Sequence, residues 1–132
     1  MRRTGCPINF GLEIFGDRWT LLILRDLLLQ NKRRFQELLQ SDEGIATNIL
    51  ADRLKRLEAA GVIDRSPDPA DGRKVIYRAT EKGIALVPVL LEIAAWGASH
   101  DSNTDAPADF APGFKSDREA TIAAFTARLR DD

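Results

Sequence analysis

Between Arg33 and Gly83 the spacing of apolar residues changes period, and that change constrains the fold more than any other feature of the chain. The basic triplet Lys32-Arg33-Arg34 leads into Phe35 to Gln40, which reads as a short helix. Ser41 to Ile45 reads as a tight turn in which Gly44 can take a positive φ. From Ala46 to Ala60 the spacing stays helical, with Leu50, Leu54 and Leu57 on one face. Asn48, Asp52, Lys55 and Ala59 fall on the opposite face, flanked by Ala51 and Arg56, and Gly61 ends the helix. The period then drops to two. Val62 to Ser66 and Val75 to Ala79 read as strands joined by Pro67 to Gly72, where Asp71-Gly72 favours a tight turn with Arg73 and Lys74 at its base. Val75, Tyr77 and Ala79 are expected to face inward, and Ile76 and Arg78 outward.

Helix, turn, helix and basic-tipped hairpin in that order make a winged helix-turn-helix, a module that lays its second helix in the major groove of DNA. The fold class read from the whole chain is mostly α with a small β-hairpin (α+β), with extra N- and C-terminal helices forming a dimer interface. Pro7 opens a first helix carrying Ile8, Leu12 and Phe15, which Gly16 ends. Asp17 caps a second, Arg18 to about Gln30, with Trp19, Leu22, Ile23 and Leu27 at helical spacing. Thr80 caps a long helix, Glu81 to about Ser99, kinked by Pro88. Its Leu86, Val89, Leu90, Ile93 and Trp96 form an apolar surface wider than one small core requires, so a second subunit is the expected cover. Residues 1–100 therefore read as a DNA-binding and dimerisation domain, and 101–115, rich in Asp, Ala and Pro, as a linker with Phe110 and Phe114 as anchors. Residues 116–132 read as an extra helix that starts on a Ser116-to-Glu119 capping box and docks through Ile122, Phe125 and Leu129.

The formal net charge is −1, which at first argues against nucleic acid. Residues 1–100 hold fifteen Lys/Arg and thirteen Asp/Glu, a balance of +2, whereas 101–132 hold four and seven, a balance of −3. Binding to DNA must then come from locally placed cations. The apolar run Ile84 to Trp96, interrupted by Pro88 and Glu92, reads as too short to span a bilayer, and the first residues lack a signal-peptide pattern. A cytoplasmic protein, with no membrane partner, is expected.

The run Cys6-Pro7, then Gly16-Asp17-Arg18-Trp19-Thr20 through Arg25, resembles the opening of HxlR-type transcriptional regulators. So do Arg34-Phe35 with Leu38, Leu50 with Arg53, Leu57, Glu58 and Gly61, Tyr77 with Thr80-Glu81-Lys82-Gly83, and Trp96-Gly97. The resemblance implies a cytoplasmic DNA-binding homodimer, a repressor or activator, paired through its N-terminal and long late helices. The chain departs from that pattern at Ala46, where members often carry Ser or Thr, and at Asn48, where they often carry a cation. Thr47 can cap the helix in place of Ala46.

The candidate DNA-binding residues are Arg34, Ala46, Thr47, Asn48, Asp52, Lys55, Arg56, Arg73 and Lys74. Asn48 suits an adenine edge, Thr47 a base or phosphate, and Lys55 and Arg56 phosphates or a guanine. Asp52 can accept from cytosine N4 or pair with Arg56 four residues on. Arg73 and Lys74 suit flanking phosphates; Lys32 and Arg33 either clamp backbone or form a solvated surface. Cys6, the only cysteine, is either a redox or electrophile sensor, activated near a helix N-terminus with Arg2 and Arg3 close by, or a small packed hydrophobe. A sensor role is also what some relatives of the resembling family imply. Sole His100 reads as a helix-end residue. With no metal-ligand spacing, phosphate loop or paired nucleophile and base, neither an enzyme nor a cofactor is expected. The partners expected are double-stranded operator DNA, a second copy of the chain, and a small-molecule or electrophile effector. The competing reading is a winged-helix protein–protein interaction module without DNA binding.

Overall fold

The computed structural model describes residues 4–131. Arg2 and Arg3, expected beside Cys6, lie outside the described residues. Helix α1 (Pro7–Phe15) has Pro7 in its first turn, and α2 (Arg18–Leu28) is capped by the Asp17 carboxylate, which accepts from the Thr20 backbone N–H. Helices α3 (Phe35–Leu39) and α4 (Thr47–Ala59) form the helix-turn-helix. Strands β1 (Ile63–Asp68) and β2 (Asp71–Ala79) pair antiparallel, and α5 (Glu81–Ile84), α6 (Val87–His100), α7 (Phe110–Ser116) and α8 (Arg118–Arg130) follow.

The core is built on α2. Ile23, Leu24, Leu27 and Leu28 are buried against Leu50, Leu54 and Leu57 of α4 and Val87, Leu90 and Leu91 of α6. Gly44 at φ 72° turns the chain between α3 and α4, and Gly61 at φ 76° turns it from α4 into β1. The α3–α4 turn is also held from outside. Arg25 on α2 donates from Nη1 and Nη2 to the two carboxylate oxygens of Glu43, at 2.7 and 2.9 Å. The Arg25 hydrogen bonds hold the Glu43 carboxyl down at about 2, against its usual 4.5.

Several boundaries differ from the sequence reading, each for a local reason. Helix α4 starts at Thr47, with Ala46 in the cap position and no side-chain cap, so Thr47 is the first helical residue and not the cap. The hairpin turn falls at Pro69-Ala70 instead of Asp71-Gly72. Asp68 Oδ1 accepts the Ala70 N–H at 2.9 Å, closing the turn with a side chain, and a bulge at Pro67/Asp68 shifts the register. Ile76, expected outward, is 2% exposed. Strand alternation separates two faces but does not say whether the outer one is covered. Along its edge away from β1, β2 is also held by chain, the Tyr77 N–H donating to Arg33 C=O at 2.8 Å. The helix from Glu81 breaks where a bend was expected: Pro88, which lacks an N–H, falls in the first turn of a new helix. Residues Glu81–His100 are long and apolar enough, on length and composition alone, to cross a membrane. Within the fold, however, Val87, Leu90 and Leu91 of this stretch belong to the core.

The stretch read as a linker contains α7, whose Phe114 is 3% exposed in the core. The expected Ser116 capping box does not form, because Ser116 ends α7 and its Oγ donates to Gly113 C=O. Helix α8 packs Ile122, Phe125 and Leu129 on the core, and Arg130 pairs with Glu81.

The Glu43 carboxyl, depressed in the fold, contributes stability that is complete above its usual value of 4.5 and fades as pH falls toward about 2. Glu43→Gln should lower stability by about 1 kcal/mol near neutral pH. That deficit should start to shrink below about pH 4.5 and approach zero only as pH falls through about 2, as thermal unfolding across the range would record.

Candidate nucleic-acid interface

The buried leucines of α4 leave its other face to solvent. Ala46, Thr47, Asn48, Lys55 and Arg56 are exposed, and Ala51, Asp52 and Arg53 are half-buried. The first turn carries no side-chain cap, so its backbone N–H groups, with the positive end of the helix dipole, are available to an anion. Asn48 and Lys55 are taken up by no internal hydrogen bond or ion pair among the described residues. Asp52 pairs with Arg56 at 3.0 Å, one of its two expected roles, and also with Arg53 at 2.6 Å.

Arg53 was not among the expected site residues. It reaches back across the interface to α2, donating from Nε to Asp17 Oδ1 at 3.2 Å. Burial raises the Asp17 carboxyl, but the Thr20 hydroxyl, the Thr20 backbone N–H and Arg53 together hold it below its usual value. One carboxylate thus caps α2 and ties α4 to it. The cap was legible in the sequence; the bond to a residue 36 positions later carried no local signal.

On the wing, Arg73 and Lys74 are exposed beyond the hairpin turn. Asp71 accepts from Arg73 Nε at 3.2 Å and from its backbone N–H at 3.1 Å, which aligns the guanidinium and lowers the Asp71 carboxyl. Arg34 takes a role the sequence did not reveal. Its Nε and Nη2 donate to the two oxygens of buried Asp68 at 2.7 and 3.1 Å. With Phe35, Gln36 and Val75, Arg34 lines a concavity shared with Arg73 and Lys74, so three of the expected cations meet in one place. The Arg34 side chain is still 45% exposed.

The other two members of the basic triplet face inward. Lys32 pairs with buried Asp26 at 3.7 Å, and Arg33 is half-buried, its guanidinium made less basic by burial and by Arg78 and Arg34 nearby. Glu37 accepts the backbone N–H groups of Arg33 and Arg34, closing the N-terminus of α3. Cys6 is exposed in the cap position of α1. Around it and on α6, Ile8, Phe10, Leu12, Ile93 and Trp96 are exposed large hydrophobics. Among the described residues no group of His, Cys, Asp and Glu is placed to hold a metal.

The model of the HxlR-like helix-turn-helix family matches residues 14–105, which contain both α4 and the wing. The chain belongs to that family. The HTH-type transcriptional regulator YodB of Bacillus subtilis is 38% identical over 97 residues, covering 73% of this chain and 86% of YodB. The structure of PA1607, assigned as a transcription factor, matches with a TM-score of 0.70 at 38% identity over 80% of this chain and 72% of its own. The redox regulator HypR in its oxidised form matches at a TM-score of 0.64 and 31% identity, over 76% of this chain and all of HypR. YodB itself has been solved reduced, diamide-treated and quinone-bound. This HxlR-type protein is therefore a helix-turn-helix transcriptional regulator, and α7 and α8 lie beyond the matched residues.

Because Asp17 serves both helices, Asp17→Ala should cost about 1–2 kcal/mol of stability. Replacing Arg53 by Met should cost less, since the α2 cap survives; urea unfolding of both variants would measure the difference.

Proposed function

We propose that this regulator acts in the cytoplasm as a homodimer on operator DNA, as a repressor, with α4 in the major groove and the wing on flanking phosphates. The observation that carries the reading is the exposed face of α4, on which Asn48 and Lys55 remain unengaged while the leucines behind them are buried. In this reading Asn48 meets an adenine edge, and Thr47 with the uncapped first turn after Ala46 meets a phosphate. Lys55 and Arg56 meet phosphates, and Asp52 holds Arg56 and Arg53 in place. Arg73 and Lys74 reach the flank, and the outer edge of Arg34 adds to them. The exposed hydrophobics of α1 and α6 support the homodimer, because isolated exposure of that kind is removed by a second copy. The regulator relatives support a role without catalysis.

The effector we propose is an oxidant or electrophile acting on Cys6. Its exposure supports this, as do the redox and quinone-bound forms known for the relatives. With one cysteine per chain, diamide would take two electrons and two protons from two Cys6 thiols, one per protomer, leaving an intersubunit disulfide; a quinone would instead add one thiol across its ring.

Fluorescence anisotropy against the DNA upstream of the protein's own gene, with random DNA as competitor, tests the binding. Specific binding that falls steeply with salt is expected; binding insensitive to salt would favour a protein-binding module. Lys55→Ala should weaken all sequences alike and lower the salt slope by about one per protomer, whereas Asn48→Ala should cost about 1–3 kcal/mol at one base pair. For the effector, Cys6→Ser should keep DNA affinity and lose diamide-induced release; release at the wild-type level would remove Cys6 from the mechanism.

A further inference from the structure

We propose that Asp68 is a positioning residue for DNA binding: its grip on Arg34 sets the angle of the wing against the helix-turn-helix, and so the reach of Arg73 and Lys74. The inference rests on the reading above that the wing touches DNA.

Asp68 is an unusual residue for a surface meant to meet a polyanion. It is 4% exposed, and both its oxygens are engaged: Oδ2 by Arg34 Nε at 2.7 Å, Oδ1 by Arg34 Nη2 at 3.1 Å and by the Ala70 N–H at 2.9 Å. It stands at the outer end of β1, on the bulge that shifts the hairpin register, between Pro67 and Pro69. The paired arginine is the residue that leads into α3, its own backbone N–H held by Glu37. One bidentate pair therefore spans 34 residues and joins the tip of the hairpin to the start of the helix-turn-helix.

The base of the hairpin is held separately. Tyr77 donates its N–H to Arg33 C=O, and Arg65 pairs with Glu58 of α4 at 3.4 Å. A two-stranded ribbon fixed only at its base pivots and twists at its tip. The Arg34–Asp68 pair supplies the second point of attachment, and the cations that follow the turn, Arg73 and Lys74, line the same concavity as Arg34. With the tip fixed, their distance from α4 is set before DNA arrives, and the ordering of the wing is not charged against binding.

Charge counting and positioning predict opposite signs, which makes the test decisive. Asp68→Asn moves the formal net charge from −1 to zero and frees Arg34 for phosphate, so charge alone predicts tighter binding and a steeper salt slope. Positioning predicts about tenfold weaker binding near physiological salt, with a slope shallower by about one to two per protomer as Arg73 and Lys74 lose fixed contacts. Hydroxyl-radical footprinting should show flanking protection lost and the major-groove contacts of α4 kept. A charge-neutral second variant, Arg34→Lys, keeps the cation and loses the two-pronged grip; a shallower slope is expected there too. Equal or tighter binding with a steeper slope for Asp68→Asn, or an unchanged slope for Arg34→Lys, would overturn the inference. If Asp68→Asn proves unfolded by circular dichroism, Arg34→Lys decides alone. Wild-type protein that shows no salt-dependent DNA binding would bring down the DNA-binding reading itself, which the wild-type titration separates from the effect of either variant.

Discussion

Everything else in this fold depends on the leucine seam between α2 and α4. Ile23, Leu24, Leu27 and Leu28 on one side and Leu50, Leu54 and Leu57 on the other are all within 3% of full burial. Each such side chain contributes about 1.5–3 kcal/mol when removed from water, so rotating α4 about its axis would forfeit several of these terms together. The outward face of α4 is consequently chosen by the core. In the proposed reading, the residues offered to DNA are those left over once the leucines are placed.

A second theme is the use of carboxylates as struts for arginines. Asp17 holds Arg53, Glu43 holds Arg25, Asp52 holds Arg56, and Asp68 holds Arg34. This resolves the puzzle of a DNA-binding protein with a net charge of −1. Most of the acidic residues near the interface are committed to neighbouring cations, and a small set of cations, Lys55 and Lys74 among them, is left to act outward. Partly screened pairs of this kind contribute little stability singly, but their two-pronged geometry fixes direction.

Features decided within a few residues were legible in the sequence. Asp17 and Thr80 cap helices as their side-chain chemistry dictates, Gly44 and Gly61 take the positive φ their positions require, and the leucine period of α4 names its buried face. Where the outcome depends on distant chain, the reading failed. The partners of Arg25, Arg34 and Arg53 lie 18, 34 and 36 residues away, and nothing near them in sequence points across that gap. The wing turn was misplaced because Asp71-Gly72 is a strong local signal, while Asp68 closes the turn two residues earlier through its side chain. Ser116 satisfied a capping pattern, yet it is the last residue of α7, and the cap position of α8 falls one residue later, on Asp117, with no side-chain cap.

The bare cap at Ala46 has a consequence for motion. With no hydroxyl or carboxylate to accept them, the leading amides of α4 exchange hydrogen bonds with water for as long as the protein is alone. In the proposed reading, the end of α4 that meets DNA is the one without a side-chain cap, while the leucines below anchor the remainder. A phosphate arriving there would do the work of the missing cap, so ordering of the reading head and capture of the backbone become one event, and amide protons in that turn would be the ones whose lifetimes report whether the regulator is on its operator.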